Sequence, residues 1–554
     1  APYRKETHNQ MIMKRILIYA TALLSISACN ANGKTTIRGK VTLDGKALAG
    51  VLVSDGKEIV ETNRFGRYAI ASDKADSMVF ITTPSGTVAE SADGLRPGFW
   101  ALLEAAPDKV ERHHFRLVSE NQDNYRVLFL PDIHLSNDPR RNDIARFKEK
   151  VVPFIKEKAS EAEGPVYMMN LGDFTHELYW YEFDFDEADA CQLVIDEKLP
   201  LRTYAITGNH DHDAAIVGEE VDFRSAWLYR RVWGPDRYSV NIGGDHWVFL
   251  DNIIYINVEG QGKKAPGIKG DRSYEHALTD AQMEWLEKDL SYVPDEANVY
   301  ICTHCPFYAG SYKNSGKNLM PDEQLERIDS LCSRFANGVA NFSGHIHKFD
   351  YFSRKEYASI RQYGLPCSSG IMWETDPERS LYSSDGSEAG LVIGQCTKGS
   401  PIELSYHTYD HGERYYSIYD MNSVGKIYKN NPGVKIQRKL APERADYSEL
   451  KFRNCVFLNW WTWTPGCSVE MYEEGRPLEV KNVHHEDPVK NLTYDCPKLA
   501  NPVKHHKARL KDSCIHMFEA KCRKADSAVE IVMRDAEGKI VFRETVQRPL
   551  AFEY

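Results

Sequence analysis

The chain has 554 residues, which is too long for a single hydrophobic core, so we expect three or four domains. Apolar residues make up 42% of the sequence and aromatic residues 11%, which argues against a disordered chain. The net charge of −11 is mild for this length and no basic stripe is present, so the composition indicates no nucleic-acid partner.

Residues 1–29 have the pattern of an upstream extension and an export signal. A basic start at residues 13–15 precedes the apolar run 16–24, which is too short to cross a bilayer. The Ile-Ser-Ala-Cys segment at 26–29 resembles the bacterial lipobox, which implies lipidation at Cys29 and a membrane partner through that anchor. Asn30 follows, which by resemblance to sorting rules favours an outer-membrane lipoprotein of the cell envelope. A plain signal peptide with cleavage nearby is the alternative.

The cysteine pattern does not predict a disulfide framework. The chain has 12 cysteines, and without Cys29 the remainder are odd in number and widely spread, so at least one is expected to stay free.

Residues 33–118 contain short strand-like segments separated by glycine turns. Asp-Gly pairs at 44–45 and 55–56 lie between segments of alternating hydrophobicity, a pattern that indicates hairpins and predicts a small antiparallel β-sandwich. The segments Gly-Val-x-Val-Ser-Asp-Gly at 50–56 and Thr-Asn-x-x-Gly-x-Tyr at 62–68 resemble carboxypeptidase-regulatory-like modules. That resemblance implies a spacer, with glycan binding as the alternative.

Between residues 122 and 365, five short apolar segments each end in side chains that can bind a metal ion. The segments are rich in Val, Ile, Tyr and Phe, which predicts buried strands. The polar residues that follow them are Asp132 and His134, then Asp173, then Asn209 and His210, then His304, and finally His345 and His347. Because open α/β sheets place ligands at the carboxyl ends of their strands, we expect these side chains to converge.

Two helices are predicted between these strands. Ile144, Phe147, Val151, Phe154 and Ile155 recur at helical spacing, and a Thr279-to-Gln282 capping box opens a second amphipathic segment. The alternation of strands and helices predicts an α/β domain with a sheet core flanked by helices.

The donor set suits a centre with two metal ions. Carboxylate, imidazole and amide oxygen together suit Zn, Fe or Mn. A carboxylate that bridges ions about 3.5–4 Å apart is required, and Asp173 at the end of a Gly-Asp strand is the natural bridge.

The order Asp-x-His, Gly-Asp, Gly-Asn-His-Asp, His and Gly-His-x-His is that of the calcineurin-like metallophosphoesterases, and the sequence is identified as a member of that superfamily. The resemblance implies a metallophosphoesterase β-sandwich core in residues 122–365 and two divalent or trivalent ions. Asp132, His134 and His347 would bind one ion, Asn209, His304 and His345 the other, and Asp173 both. His210 would act on the phosphoryl or leaving group, with Asp211 or another carboxylate orienting its ring.

Further substrate contacts are expected on the loops after the metal motifs. His176 and His212 lie directly behind Asp173 and Asn209 in the sequence, so they are candidate substrate-binding residues.

After residue 365 the helical periodicity fades, which predicts a C-terminal β-rich domain over residues 366–554, with a boundary anywhere from 364 to 432. Pro465-Gly466 with residues 469–471 resembles the C-terminal domain of some bacterial metallophosphoesterases. The tryptophan cluster at 460–463 is interpreted as core packing, with a stacking platform for sugars or bases as the alternative.

The sequence therefore predicts a phosphomonoesterase or phosphodiesterase of the bacterial envelope that uses a dinuclear metal centre and a metal-activated hydroxide. A lipid-anchored, non-catalytic binding or scaffold protein that keeps the fold is the alternative. Such scaffolds usually lose ligands, whereas all seven candidate ligands and His210 are present here. The sequence does not indicate an oligomeric state.

Overall fold

The computed structural model describes residues 33–260, 265–310, 316–375, 379–500 and 514–554. The predicted signal segment and lipidation site, with Cys29, lie outside these ranges. Within them, no helix combines the length and the apolar character needed to cross a membrane. The eleven cysteines of the described residues are all free thiols.

The N-terminal region forms two small facing sheets. One has the order β2-β1-β9-β7, with β5 also on β1, and the other has the order β4-β3-β6-β8. The strands are β1 Ile37–Leu43, β2 Lys46–Ala47, β3 Leu52–Ser54, β4 Ile59–Glu61, β5 Arg67–Ile70, β6 Met78–Ile81, β7 Thr87–Ala89, β8 Trp100–Leu102 and β9 Glu111–Ser119. The predicted sandwich is present but is not antiparallel throughout, because β9 runs parallel to β1. Between β1 and β9 the chain forms the strands of the second sheet, and this long connection allows β9 to run in the same direction as β1.

The central region contains two six-stranded sheets, with the orders β12-β11-β10-β23-β24-β25 and β13-β14-β17-β20-β22-β21. Two short hairpins, β15-β16 and β18-β19, lie outside them. The strands are β10 Asn124–Leu130, β11 Val166–Asn170, β12 Arg202–Ala205, β13 Arg237–Ile242, β14 Asp245–Leu250, β15 Ile253–Tyr255, β16 Tyr274–His276, β17 Val299–Cys302, β18 Tyr308–Ala309, β19 Lys317–Asn318, β20 Val339–Ser343, β21 Asp350–Ser353, β22 Ile360–Gly364, β23 Gly390–Thr397, β24 Glu403–Thr408 and β25 Gly412–Glu413.

The two central sheets pack face to face through aromatic side chains. Phe129 of β10 stacks on Phe342 of β20 with ring centroids 4.4 Å apart, and Trp247 packs against both rings. The strands β10, β11 and β12 are parallel to one another, as are β17 and β20. The five predicted motif strands therefore divide between two sheets, and their carboxyl ends meet at one edge of the sandwich.

Helices cover this core. They are α1 Asp143–Arg146, α2 Val152–Ser160, α3 Trp180–Phe183, α4 Glu187–Asp196, α5 Val221–Ser225, α6 Trp227–Trp233, α7 Asp280–Ser291 and α8 Asp322–Cys332, with a π turn at Phe147–Val151 joining α1 to α2. The two predicted helices are confirmed. Phe147, Val151, Phe154 and Ile155 are buried, and the Thr279 hydroxyl accepts the backbone N–H of Gln282 at the start of α7.

The C-terminal region is a second β-sandwich with added helices. Its sheets have the orders β26-β27-β31-β30 and β29-β28-β32-β33. The elements are β26 Tyr416–Asp420, α9 Met421–Asn430, α10 Pro432–Leu440, β27 Cys455–Trp460, β28 Ser468–Glu473, β29 Arg476–Pro477, β30 Val480–Val483, α11 Pro488–Lys490, α12 Cys496–Ala500, β31 Met517–Lys521, β32 Val529–Arg534 and β33 Ile540–Val546. Trp460 and Trp461 are buried, which agrees with core packing.

The central sheet continues to residue 413, past the predicted domain end at 365 and inside the predicted boundary range of 364 to 432. Strand β23 pairs antiparallel with β10, and β24 and β25 continue the same sheet. Residues 390–413 thus complete the core of the central sandwich before the chain enters the C-terminal sandwich. A long connection separates β22 from β23, so local pattern alone gave no signal for this pairing.

Candidate metal centre

The seven predicted ligands meet at the common edge of the two central sheets. Five of them have φ between 50° and 68°, namely Asp132, His134, Asp173, His345 and His347. This left-handed conformation is unfavourable for residues with a side chain and costs on the order of 1–3 kcal/mol each. The surrounding fold holds this strain at the point where the ligands converge, which is where functional sites store it.

Three of these side chains form the first half of the centre. The His347 Nε2 atom lies 3.2 Å from Asp132 Oδ1 and 3.1 Å from His134 Nε2. The His134 Nε2 atom is 3.8 Å from the same Asp132 oxygen. Three donor atoms from the loops after β10 and β20 therefore lie around one position.

The second half comes from Asn209 and His304, on two other segments, and from His345, on the same loop as His347. The Asn209 Oδ1 atom is 3.0 Å from His304 Nε2 and 3.0 Å from His345 Nδ1. These two ring nitrogens are themselves 3.2 Å apart.

Asp173 belongs to both halves. Its Oδ2 atom lies 3.3 Å from His304 Nε2 and 3.8 Å from His134 Nε2. Gly172, which precedes it, has φ 89°, and an added Cβ would lie 2.7 Å from the His304 ring. Only glycine therefore allows the β11 strand to end this close to the second half of the centre.

The chemistry of the donor set fits cations. The His304 Nδ1 atom is 2.9 Å from the Leu171 carbonyl oxygen, so Nδ1 carries a proton and donates it. In a neutral imidazole the Nε2 lone pair then faces the Asn209 oxygen, and two acceptors at this distance repel each other unless a cation lies between them. Burial acts to lower the pKa of His304, but the charge of Asp173 outweighs it and raises that pKa to about 9. A metal ion would take the place of this proton.

His210 lies beside the centre and pairs with Glu177. The His210 Nδ1 atom is 2.6 Å from Glu177 Oε2, and the His210 ring centroid is 5.1 Å from that of His134. Asp211, the alternative partner named from the sequence, instead accepts the backbone N–H groups of Gly208 and Asp173, each at 2.8 Å. Asp211 therefore holds the ligand loops together, and Glu177 orients the histidine.

The two candidate substrate contacts differ in position. His176 lies against the centre, with its ring 4.3 Å from that of His210. His212 is fully buried, its Nδ1 atom is 2.8 Å from the Gly208 carbonyl oxygen, and its ring stacks on Tyr255. The structure does not bring His212 to the cleft, because protein atoms occupy both its ring face and Nδ1.

Three residues beside the centre were not predicted from the sequence. Arg272 forms an ion pair with Glu177, and its Nη2 atom lies 2.9 Å from His210 Nδ1. The rings of Tyr274 and His276 lie 6.0 and 5.0 Å from that of His345. Arg272, Tyr274 and His276 are every second residue of the segment Arg-Ser-Tyr-Glu-His, so they lie on one face of β16 and of the residues before it. This alternation is the pattern from which they could have been predicted.

A thiol also lies next to the first half. The ligand atoms of Cys367, His134 and His347 are within 4.8 Å of one another. The Cys367 Sγ atom donates to the Asp132 carbonyl oxygen over 2.9 Å, so it helps to fix the strained turn at that ligand.

Comparison with solved structures finds weak likenesses. A dimetal phosphatase from Danio rerio is 13% identical, with 52% of this chain and 99% of that chain covered and a TM-score of 0.31. A 5'-nucleotidase from Candida albicans SC5314 is 11% identical, with 52% of each chain covered and a TM-score of 0.28. Both TM-scores are too low to carry an argument, and no curated protein matches the sequence.

Family models match nearly all of the described chain. The model for the N-terminal domain of calcineurin-like phosphoesterases matches residues 35–120, the calcineurin-like phosphoesterase model matches residues 125–349, and the model for the C-terminal domain matches residues 367–540. The central match includes all seven predicted ligands and His210. The chain belongs to the calcineurin-like phosphoesterases and is a metal-dependent hydrolase of phosphoester bonds.

Proposed function

We propose that this hydrolase is a phosphomonoesterase or phosphodiesterase of the bacterial envelope with a dinuclear metal centre. The main support for two ions is that Asp173 belongs to two separate groups of ligand atoms. One group joins it to Asp132, His134 and His347, and the other joins it to His304 and His345. A carboxylate shared in this way is what two adjacent ions require.

The side chains of the chain have distinct tasks in this proposal. Asp132, His134 and His347 would hold one Mn, Zn or Fe ion, Asn209, His304 and His345 would hold the other, and Asp173 would be shared between them. Bound ions would lower the pKa of a water molecule toward about 7 and neutralise charge on the phosphoryl oxygens.

The proton for the leaving oxygen comes from His210. Because Glu177 and Arg272 occupy the Nδ1 side of its ring, the Nε2 atom is the one that can donate to a substrate. The partly exposed ring and its closeness to the first half of the centre support this role.

The test uses the full chain. Metal analysis of the purified protein should find two ions per chain, and nitrophenyl phosphate and bis-nitrophenyl phosphate should separate monoester from diester preference. Chelation should abolish turnover, and Mn, Zn or Fe should restore it. A protein that binds two ions and hydrolyses no ester from a panel of nucleotides, phosphosugars and phospholipid headgroups would support the scaffold alternative.

The envelope location rests on the sequence pattern of residues 13–29 and is tested separately. Metabolic labelling with a fatty-acid analogue should mark the wild type and not Cys29→Ser. Cys467→Ser, which removes a half-buried thiol far along the chain, serves as the matched control and should keep the label. A soluble, unlabelled wild type would rule out the lipoprotein.

A further inference from the structure

The loop at residues 384–387, between β22 and β23, contacts the backbone of the metal centre. The Ser384 hydroxyl donates to the carbonyl oxygen of His347 over 3.0 Å. The Asp385 Oδ2 atom accepts the backbone N–H of Phe349 over 2.9 Å. The loop therefore holds the chain on both sides of Lys348, next to a ligand whose φ of 54° the fold has to maintain.

The C-terminal sandwich contacts the other side of this loop. His516 precedes β31, and its Nε2 atom lies 3.2 Å from Asp385 Oδ2. Asn459 of β27 donates from Nδ2 to the Asp385 carbonyl oxygen over 2.9 Å. All three residues are buried. A residue of β27 and the residue before β31 thus determine where Asp385 lies.

Hydrogen-bond directions make this contact an ion pair. Asn459 Nδ2 also donates to Asp487 over 2.9 Å, which turns its Oδ1 atom toward His516 Nδ1, 2.7 Å away. The Cys514 thiol lies 3.0 Å from the same nitrogen and itself donates to Asn459 Oδ1, so His516 Nδ1 also donates to that oxygen. Asp385 accepts from Phe349 and from the backbone and hydroxyl of Ser387, so it is a carboxylate, and His516 Nε2 is attracted to it only when protonated. Burial acts to raise the pKa of Asp385, but the hydrogen bond and charge of His516 hold it below its usual value.

A close backbone approach joins the loop to the same sandwich. Gly386 has φ 82°, and an added Cβ would lie 2.0 Å from Asp487 Cγ. The backbone of the loop at Gly386 therefore packs directly against the Asp487 carboxylate, which orients Asn459.

We propose that His516 is a positioning residue for the metal centre, and that the C-terminal sandwich acts through Asp385 and Ser384 to hold His347 in its strained, metal-binding conformation. The proposal rests on the proposed dinuclear function, but it concerns metal affinity rather than turnover. It assigns a task to a domain that contributes no ligand to the two metal groups described above.

Two adjacent serines provide the mildest test. Ser384→Ala removes the donor to His347, whereas Ser383→Ala removes a buried hydroxyl that has no hydrogen-bond partner among the described residues. Titration of the metal-free protein with Co²⁺, followed by its absorption, should show one of the two ions bound about 10–100-fold more weakly in Ser384→Ala, the usual cost of losing an outer contact. Ser383→Ala should match the wild type. Equal affinities in both variants would overturn the proposal.

His516→Ala removes the ion pair itself. It should lose one ion at low metal concentration and recover both the ion and activity when metal is added in excess. His485→Ala is the control, because that ring contacts Phe457 and Glu519 within the C-terminal sandwich. Two tightly held ions in a folded His516→Ala protein would overturn the proposal, and the serine pair decides the question if His516→Ala does not fold. A wild type that binds two ions but hydrolyses no ester would overturn the proposed function and leave this inference standing.

Discussion

Two histidine-carboxylate pairs lie close to the metal centre and differ mainly in access to solvent. In the His210–Glu177 pair the nitrogen and oxygen are 2.6 Å apart, and the imidazole is 17% exposed over a carboxylate that is 1% exposed. In the His516–Asp385 pair the distance is 3.2 Å and the side chains are 2% and 0% exposed. The chemical groups are the same, but only the first pair can be reached by a substrate.

The difference shows that access, rather than the pair itself, decides what a histidine does. His210 lies beside His134 at the open edge of the sandwich, so its free ring nitrogen can transfer a proton. His516 uses both ring nitrogens inside the protein, so it can only fix geometry.

Asp173→Asn should reduce metal content and turnover more than any change in the two histidine-carboxylate pairs. Loss of the shared charge should reduce the metal content to one ion or none and lower turnover by more than about 10³-fold, beyond the roughly 10²–10³-fold typical of one electrostatic group. Metal analysis with nitrophenyl phosphate measures both. His347→Ala, which removes a ligand from one half only, should keep a measurable remnant. Near-normal activity in Asp173→Asn would contradict the two-metal assignment.

His210→Ala breaks the exposed pair. It should keep both ions and lose roughly 10²–10⁴-fold in turnover of alkyl phosphoesters, because a poor leaving group needs the proton. Nitrophenyl esters should lose less, since the phenolate is stable without it. Equal losses on both esters would assign His210 to stabilising phosphoryl oxygens, and loss of metal would make it structural.

Exchanging the two carboxylates for amides sharpens the comparison directly. Glu177→Gln should keep both ions at wild-type affinity and lower turnover by about 10–100-fold, because the ring of His210 loses its charged partner. Asp385→Asn should have the opposite phenotype. It should bind metal more weakly, and excess metal should restore its turnover. Metal titration and kcat at saturating metal separate the two effects. The opposite assignment of the two phenotypes would show that solvent access does not decide the role.

His276→Ala should have the smallest effect. Its ring packs edge-on against that of His345, and a ring contact of this kind is worth about 0.5–1.5 kcal/mol, so an ion at Asn209, His304 and His345 should bind about two- to tenfold more weakly. Glu275→Ala changes the exposed side chain on the opposite face of β16 and should leave metal affinity unchanged. Titration of the metal-free proteins with Co²⁺ measures both variants. Equal metal affinities in His276→Ala and Glu275→Ala would show that the His276 ring does not support His345.

The elements predicted from the sequence are those with local signals. The helix at 143–160 and the capping box at Thr279 follow from periodicity and spacing within one segment. The five metal-binding segments could be recognised because each combines a buried strand with polar residues directly behind it. Strand β23 carried no such signal, because its partner β10 lies more than 260 residues away along the chain.

The sequence by itself therefore determined the family, the order of the domains and the seven candidate ligands, since residue type and short spacing specify them. Only the tertiary structure decided that the ligand strands divide between two sheets, that Glu177 rather than Asp211 orients His210, and that residues 272–276 line the centre. It also decided that His516 reaches Asp385 across 131 positions of sequence. The physical reason is that such contacts depend on how whole sheets and domains pack together, and no local pattern of residues encodes that packing.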